Sequence, residues 1–140
     1  MSLPVSVRLG DEAGELANAY MAATGWSRST LVNTALVEWL RLQAHPGIRF
    51  VPTPYGGRLA ALVGGPEVWT VAESWMAHEP ADRSIENVVA ATGLARSEVE
   101  CALKYWADFR HEVDDDIARV HAAQRQAREA WERQQSLLNA

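Results

Sequence analysis

Cysteine is nearly missing from this 140-residue chain: Cys101 stands alone, so no internal disulfide framework can staple it. One thiol in this many residues fits a reducing compartment, and a cytoplasmic protein is the expectation. Cys101 itself reads as a small packed residue on a helix rather than a reactive thiol. Long apolar runs are also missing. No stretch approaches the ~20 residues that cross a bilayer as a helix. The N-terminus has no basic segment followed by an apolar one, so no secretory signal is expected. Positive charge is scarce, with 13 basic residues against 18 acidic ones and a net charge of −5. That balance counts against an electrostatic nucleic-acid binder. Repeats and low-complexity tracts are absent, and the 48% hydrophobic content suits a packed globule rather than a disordered chain.

The charge is unevenly placed. Residues 1–50 carry four arginines (Arg8, Arg28, Arg41, Arg49) against four acids (Asp11, Glu12, Glu15, Glu38) and are neutral. The whole acidic excess falls later, where it suits a protein partner as well as solvent.

The first fifty residues have a clear pattern. In Leu3–Gly10, Val5, Val7 and Leu9 alternate with Pro4, Ser6 and Arg8, the period of a strand with one buried face. Asp11 and Glu12 open a helix with an apolar row of Ala13, Leu16, Ala17, Tyr20 and Ala23, closed by Gly25. Ser27 is a good N-cap for a second helix, on which Leu31, Ala35, Trp39 and Leu42 recur at helical spacing. His45-Pro46-Gly47 stops that helix. A lone short strand is not stable in a monomer, so it must pair with a second copy of itself or with later strands of the chain.

Further on, residues 48–51 and 58–63 flank a turn-rich loop and predict a hairpin. A helix follows from Pro66-Glu67, with Pro66 in its first turn, to about His78. Ser84 caps a short helix over 85–92, broken by Gly93. Another helix is expected over about 96–109, with Ser97 and Glu100 at capping-box spacing. From about Glu112 to Leu138 the pattern predicts one long helix with a narrow apolar stripe of Ile117, Val120, Ala127, Trp131 and Leu138, the mark of a seam against another helix. Asp114-Asp115-Asp116 reads as a solvated helix start rather than a cation loop. The six tryptophans read as core except Trp131, which stands on a sparse stripe. The four histidines (His45, His78, His111, His121) are scattered and suggest surface or capping roles, with no metal site. Gly56-Gly57 and Gly64-Gly65 lack the lysine and hydroxyl of a phosphate loop. No nucleophile has an evident base, so neither an enzyme nor a cofactor is expected.

The stretches VSVRL (Val5–Leu9), Asp11-Glu12 and TGWSRSTLVNTAL (Thr24–Leu36) resemble the ribbon-helix-helix repressors of the MetJ/Arc and CopG type. The resemblance covers roughly 40 residues. It implies an intertwined homodimer whose paired strands enter the major groove. On that resemblance Val5, Val7 and Leu9 pack beneath the ribbon while Pro4, Ser6 and Arg8 face DNA. Ser27, Arg28 and Ser29 set the second helix against a phosphate. Pro4 departs from the usual polar residue and leaves a sparse reading face.

The second half has the spacing of a helix-turn-helix over Asn87–Trp106. His45–Phe50, Gly64–Trp69, the AL-x-YW of Ala102–Trp106 and His111–Asp114 resemble small winged-helix-like domains on antitoxins of PIN-toxin modules. Arg96 and Lys104 are offset by Glu98 and Glu100, so this helix pair suggests protein contact rather than groove reading.

The expected fold is therefore mainly α with short β. Residues 1–45 form a ribbon-helix-helix module, and residues 46–140 a winged-helix-like helical domain with a hairpin and a long last helix. The expected function is a DNA-binding repressor, the antitoxin of a type II module that autoregulates its operon. Its partners would be operator DNA, a second copy, and a PIN-like toxin held through the acidic domain and through Val120, Ala127, Trp131 and Leu138. A plain regulator with a ligand-sensing or dimer-extending domain, and an adaptor that never touches DNA, are the alternatives.

Overall fold

A computed structural model describes residues 2–54 and 56–140. The chain is mainly helical, with one two-stranded hairpin, and divides into two compact units, Met1–Gln43 and Ala44–Ala140. No helix among the described residues is long and apolar enough to cross a membrane.

The first unit is built on two helices, α1 (Asp11–Thr24) and α2 (Arg28–Ala44, whose last residue falls in the second unit). Gly25 ends α1 in the left-handed conformation, its N–H bonded to the Met21 carbonyl, a geometry in which a Cβ would be strained. Ser27 caps α2: its Oγ accepts from the Thr30 N–H at 3.1 Å. Tyr20 meets Trp26 edge to face across this turn, with ring centres 5.4 Å apart. The expected strand over residues 3–9 is not formed in the single chain. Residues 2–10 are irregular and exposed, and β1 and β2 below are the only sheet among the described residues. The physical reason is the one its sequence implies, since a lone strand has no hydrogen-bonding edge to lie on. Pairing with later strands of the same chain does not occur.

The second unit starts with the hairpin β1 (Ile48–Pro52) and β2 (Arg58–Leu62), paired antiparallel from Ile48 opposite Leu62 to Pro52 opposite Arg58. β2 is covered on both faces, with Leu59, Ala60, Ala61 and Leu62 all buried. Four helices follow: α3 (Val68–Ala77), α4 (Ile85–Thr92), α5 (Arg96–Asp108) and α6 (Arg110–Leu138), with a 3₁₀ turn at Pro80–Asp82. Helices α3, α5 and α6 close on one core with β2, filled by Val68, Val71, Val88, Val99, Tyr105 and Val113. Ser84 caps α4 through the Asn87 N–H, and Gly93 ends it in the left-handed region. Gly47 lies close against α5: a Cβ there would stand 2.7 Å from the Cys101 sulfur, which would have to shift. Cys101 is half-buried, and burial raises its thiol pKa above the ordinary value.

Several expectations are corrected. Pro66 lies before α3, not in its first turn, since Glu67 is the N-cap. The box at the start of α5 is not Ser97/Glu100. Ala95 is the N-cap, and the Glu98 carboxylate accepts from the Ala95 N–H at 3.0 Å. Alanine offers no side-chain acceptor, so only that limb of the box exists. Asp114 and Asp116 are not a solvated helix start. Asp114 accepts from Trp106 Nε1 at 2.9 Å, and Asp116 is buried and bonded to Arg119. With the bond from the Tyr105 hydroxyl to Glu112 at 2.7 Å, these acids pin the sharp corner between α5 and α6. His45 is neither surface nor cap. It is buried edge-on to Tyr105 and Phe109, with Nε2 2.8 Å from Asp108. The α6 stripe splits as well: Val120, expected to meet a partner, is 5% exposed and belongs to this unit's own core.

Candidate nucleic-acid interface

The first unit has two helices, α1 closed by Gly25 and α2 capped by Ser27, and no buried residue among the described ones. Its apolar rows face an open groove of about 640 Å³, lined by Leu9, Leu16, Tyr20, Leu31, Leu36 and Trp39 among others. Trp39, read from sequence as core, is 59% exposed. Val32 and Leu36 also line this groove, although neither belongs to the regular row read from the sequence. The signal was there in another form: α2 has apolar residues on nearly every side, the pattern of a helix meant for burial all round.

The candidate DNA-facing residues fall into two groups. Pro4, Ser6 and Arg8 lie on the irregular N-terminal segment, and Ser27, Arg28 and Ser29 at the start of α2. One chain does not gather them into a single surface element, because residues 2–10 form neither strand nor helix. The start of α2 is the formed part. Ser27 Oγ satisfies the Thr30 amide and also donates to Thr30 Oγ1 at 2.9 Å, while the Ser29 carbonyl accepts from Asn33 Nδ2 at 2.8 Å. The Ser27 cap takes up only one of the free amides of the first turn, and together with the helix dipole the rest favour an anion. Neither Arg8 nor Arg28 forms an ion pair among the described residues, so both guanidinium groups are available to a phosphate or a guanine edge.

The α4–α5 pair, which has helix-turn-helix spacing in the sequence, contrasts with this. Its leading base, Arg96, lies between two acids, bonded to Glu86 and, at 2.9 Å, to Glu100. The Arg96 guanidinium holds the Glu86 carboxyl below the ordinary range, and Glu86 in turn raises Arg96. A guanidinium already held by two carboxylates has little left for a phosphate. The exposed face of α5 then offers Lys104 beside Glu100, a poor groove reader.

Charge sorts the second unit further. Residues 44–120 carry seven bases against twelve acids, whereas residues 121–140 carry three arginines (Arg125, Arg128, Arg133) against Glu129 and Glu132. The acidic excess therefore belongs to the globular body and not to the end of α6, where Ala127, Trp131 and Leu138 are exposed. Acidic surface and apolar stripe, joined in the sequence reading as one partner surface, are two separate features.

No protein-family model matches this chain, and no curated protein and no solved structure matches it.

Proposed function

We propose that this protein is a DNA-binding transcriptional repressor that acts as a homodimer through a ribbon-helix-helix module at residues 1–45. One observation carries the reading: the first unit has two formed helices with apolar rows, but none of its described residues is buried. A unit of that kind is completed by a second copy. Pairing two Leu3–Leu9 segments would satisfy their backbone edges and turn Val5, Val7 and Leu9 onto the helices below. Pro4, Ser6 and Arg8 would then face outward on a ribbon that fits the major groove. Phosphates would be held at the start of α2 by its free amides and Arg28.

The acidic body of the second unit, read as winged-helix-like, supplies the partner surface. Its twelve acids suit a protein with a basic groove, such as a PIN-like ribonuclease toxin, which would make the chain the antitoxin of an autoregulated module. The net charge of −5 favours the adaptor as the competing reading.

A gel shift on the chain's own promoter at stated salt decides between them. The full chain is expected to retard that fragment, and Arg8→Ala to weaken binding by about 1–3 kcal/mol per guanine contact while relaxing sequence preference. If the chain retards no promoter fragment, or Arg8→Ala changes nothing, the repressor reading fails and the adaptor stands.

A further inference from the structure

The end of α6 leaves its own body. From Gln124 to Ala140 every residue is exposed apart from the half-buried Gln135, yet the helix runs unbroken to Leu138. These fifteen residues, about 22 Å long at 1.5 Å per residue, keep their form through composition, since alanine, glutamine, arginine and glutamate are good helix formers. Arg128 and Glu132, 3.9 Å apart at i,i+4, add a little. A free-standing helix of this length is marginal in water.

Its exposed face is ordered. Gln124, Ala127, Trp131, Gln134 and Leu138 recur at alternating three and four, the a/d spacing of a helix–helix seam. The row continues the one on which Val120 enters the core. Trp131 is 59% exposed and Leu138 68%. A straight helix that leads away from the core cannot fold this seam back onto its own body.

We propose that this arm pairs antiparallel with the same arm of a second copy, about a two-fold axis at Glu129. The seam is complementary to itself from Gln124 to Gln134 in that arrangement; Leu138 falls level with Val120 of the partner subunit, which its own core covers, and lies outside the paired stretch. Trp131 and Ala127 lie two positions either side of Glu129, so each tryptophan meets a small Ala127 of the partner subunit, and this happens twice. Gln124 and Gln134 lie five positions either side, so each polar residue meets a polar one whose amide can both donate and accept. A parallel pair in register would stack tryptophan on tryptophan and alanine on alanine, leaving one overfilled layer and one void. Charge fits as well. Arg128 and Glu132 share one flank of the seam, so each Arg128 reaches Glu132 of the partner subunit and offsets the approach of the two Arg128 side chains. The arm carries three arginines against two glutamates, so two arms meet a weaker like-charge repulsion than two acidic bodies would.

Eleven residues a side, Gln124 to Gln134, fall short of the ~20–30 of a stable free-standing interface. The pairing is therefore a second contact, strengthened wherever another interface holds two chains together. It does not depend on DNA binding and is tested apart from it.

The test is cross-linking in the full chain with Cys101→Ser as background. Under mild oxidation at low protein concentration, Gln124→Cys with Gln134→Cys is expected to give a disulfide-linked dimer, and neither single cysteine to do so. Efficient linkage by Gln124→Cys alone would show a parallel pair, and no linkage by the double variant would show no arm pair at all; either overturns the proposal. Within the double-cysteine background, Trp131→Ala is expected to lower the linked fraction about fivefold, the loss for an anchor worth about 1 kcal/mol. The exchanged variant Ala127→Trp/Trp131→Ala is expected to restore it, because large still meets small. Failure of the exchange to restore the linked fraction would show that Trp131 does not pack on Ala127 of the partner subunit and would overturn the antiparallel register. The arm lies outside the core, and an unchanged helical circular-dichroism signal checks that each variant is folded.

Discussion

The two units meet the same requirement, burial of apolar rows, in opposite ways. The second closes β2 and its helices on a core in which Val71, Val88, Val99 and Tyr105 have no exposure at all. The first holds two helices of ordinary length, with Gly25 and Ser27 marking the turn between them, yet none of its described residues is buried. Good local signals thus shape helices in both, but only the second finds enough chain to bury their faces. On the proposed reading, the first unit is completed by association with another copy. Its stability should depend on protein concentration, and that of the second should not.

The sharpest way to break this contrast is a charge in the open groove. Leu36→Asp is expected to weaken association of the first unit more than about a hundredfold, because a carboxylate would have to be desolvated in an apolar interface at a cost of several kcal/mol. Thermal unfolding of the parent chain should show one transition that moves with concentration and one that does not. In the variant the moving transition should vanish and promoter retardation with it, while the other stays in place. A variant that keeps the concentration-dependent transition would show that the groove is not where two copies meet.

The converse substitution lies in the second unit. Leu62 on β2 is buried between both faces of its surroundings, and Leu62→Ala is expected to cost about 2–5 kcal/mol. That should lower the concentration-independent transition by roughly 10 °C or more, as expected for a domain of this size, and leave the other unmoved. If both transitions fell together, the units would be one cooperative structure and the contrast would be lost.

What the sequence revealed follows the range over which each signal acts. Gly25, Ser27, Ser84 and Gly93 mark helix ends through contacts within four residues, and all four are where their local chemistry puts them. The hairpin was equally plain from its turn residues. Long-range pairing was hidden. Nothing near Asp116 announces that Arg119 will cover it in a buried corner, nothing near His45 announces Asp108, sixty-three positions on, and nothing near Arg96 announces Glu86 on the preceding helix. The α6 stripe shows the limit most clearly. Periodicity found Val120, Ala127, Trp131 and Leu138 as one row, but only the fold decides that Val120 is core and the rest are not. The alternation of residues 3–9 is a signal of another kind, whose meaning depends on an edge that a single chain does not supply.

The smallest effect tests how closed the second unit is at the α5–α6 corner. Burial pushes the Asp116 carboxyl above its ordinary value of 3.8, and the Arg119 hydrogen bond opposes that shift without cancelling it. Below pH 3.8 the proton is present on Asp116 in the folded and the unfolded chain alike. As pH rises, the unfolded chain releases it first, so the stability that the protonated group contributes is lost until the folded carboxyl ionises as well. Asp116→Asn removes this titration. The difference in melting temperature between variant and parent, read on the concentration-independent transition, should therefore move in the variant's favour as pH rises from below 3.8 towards neutrality. The transition of the first unit, which contains no buried carboxylate, should show no such difference. Movement in the parent's favour would mean that Arg119 outweighs desolvation and that the corner is open enough to hold a carboxylate at no net cost.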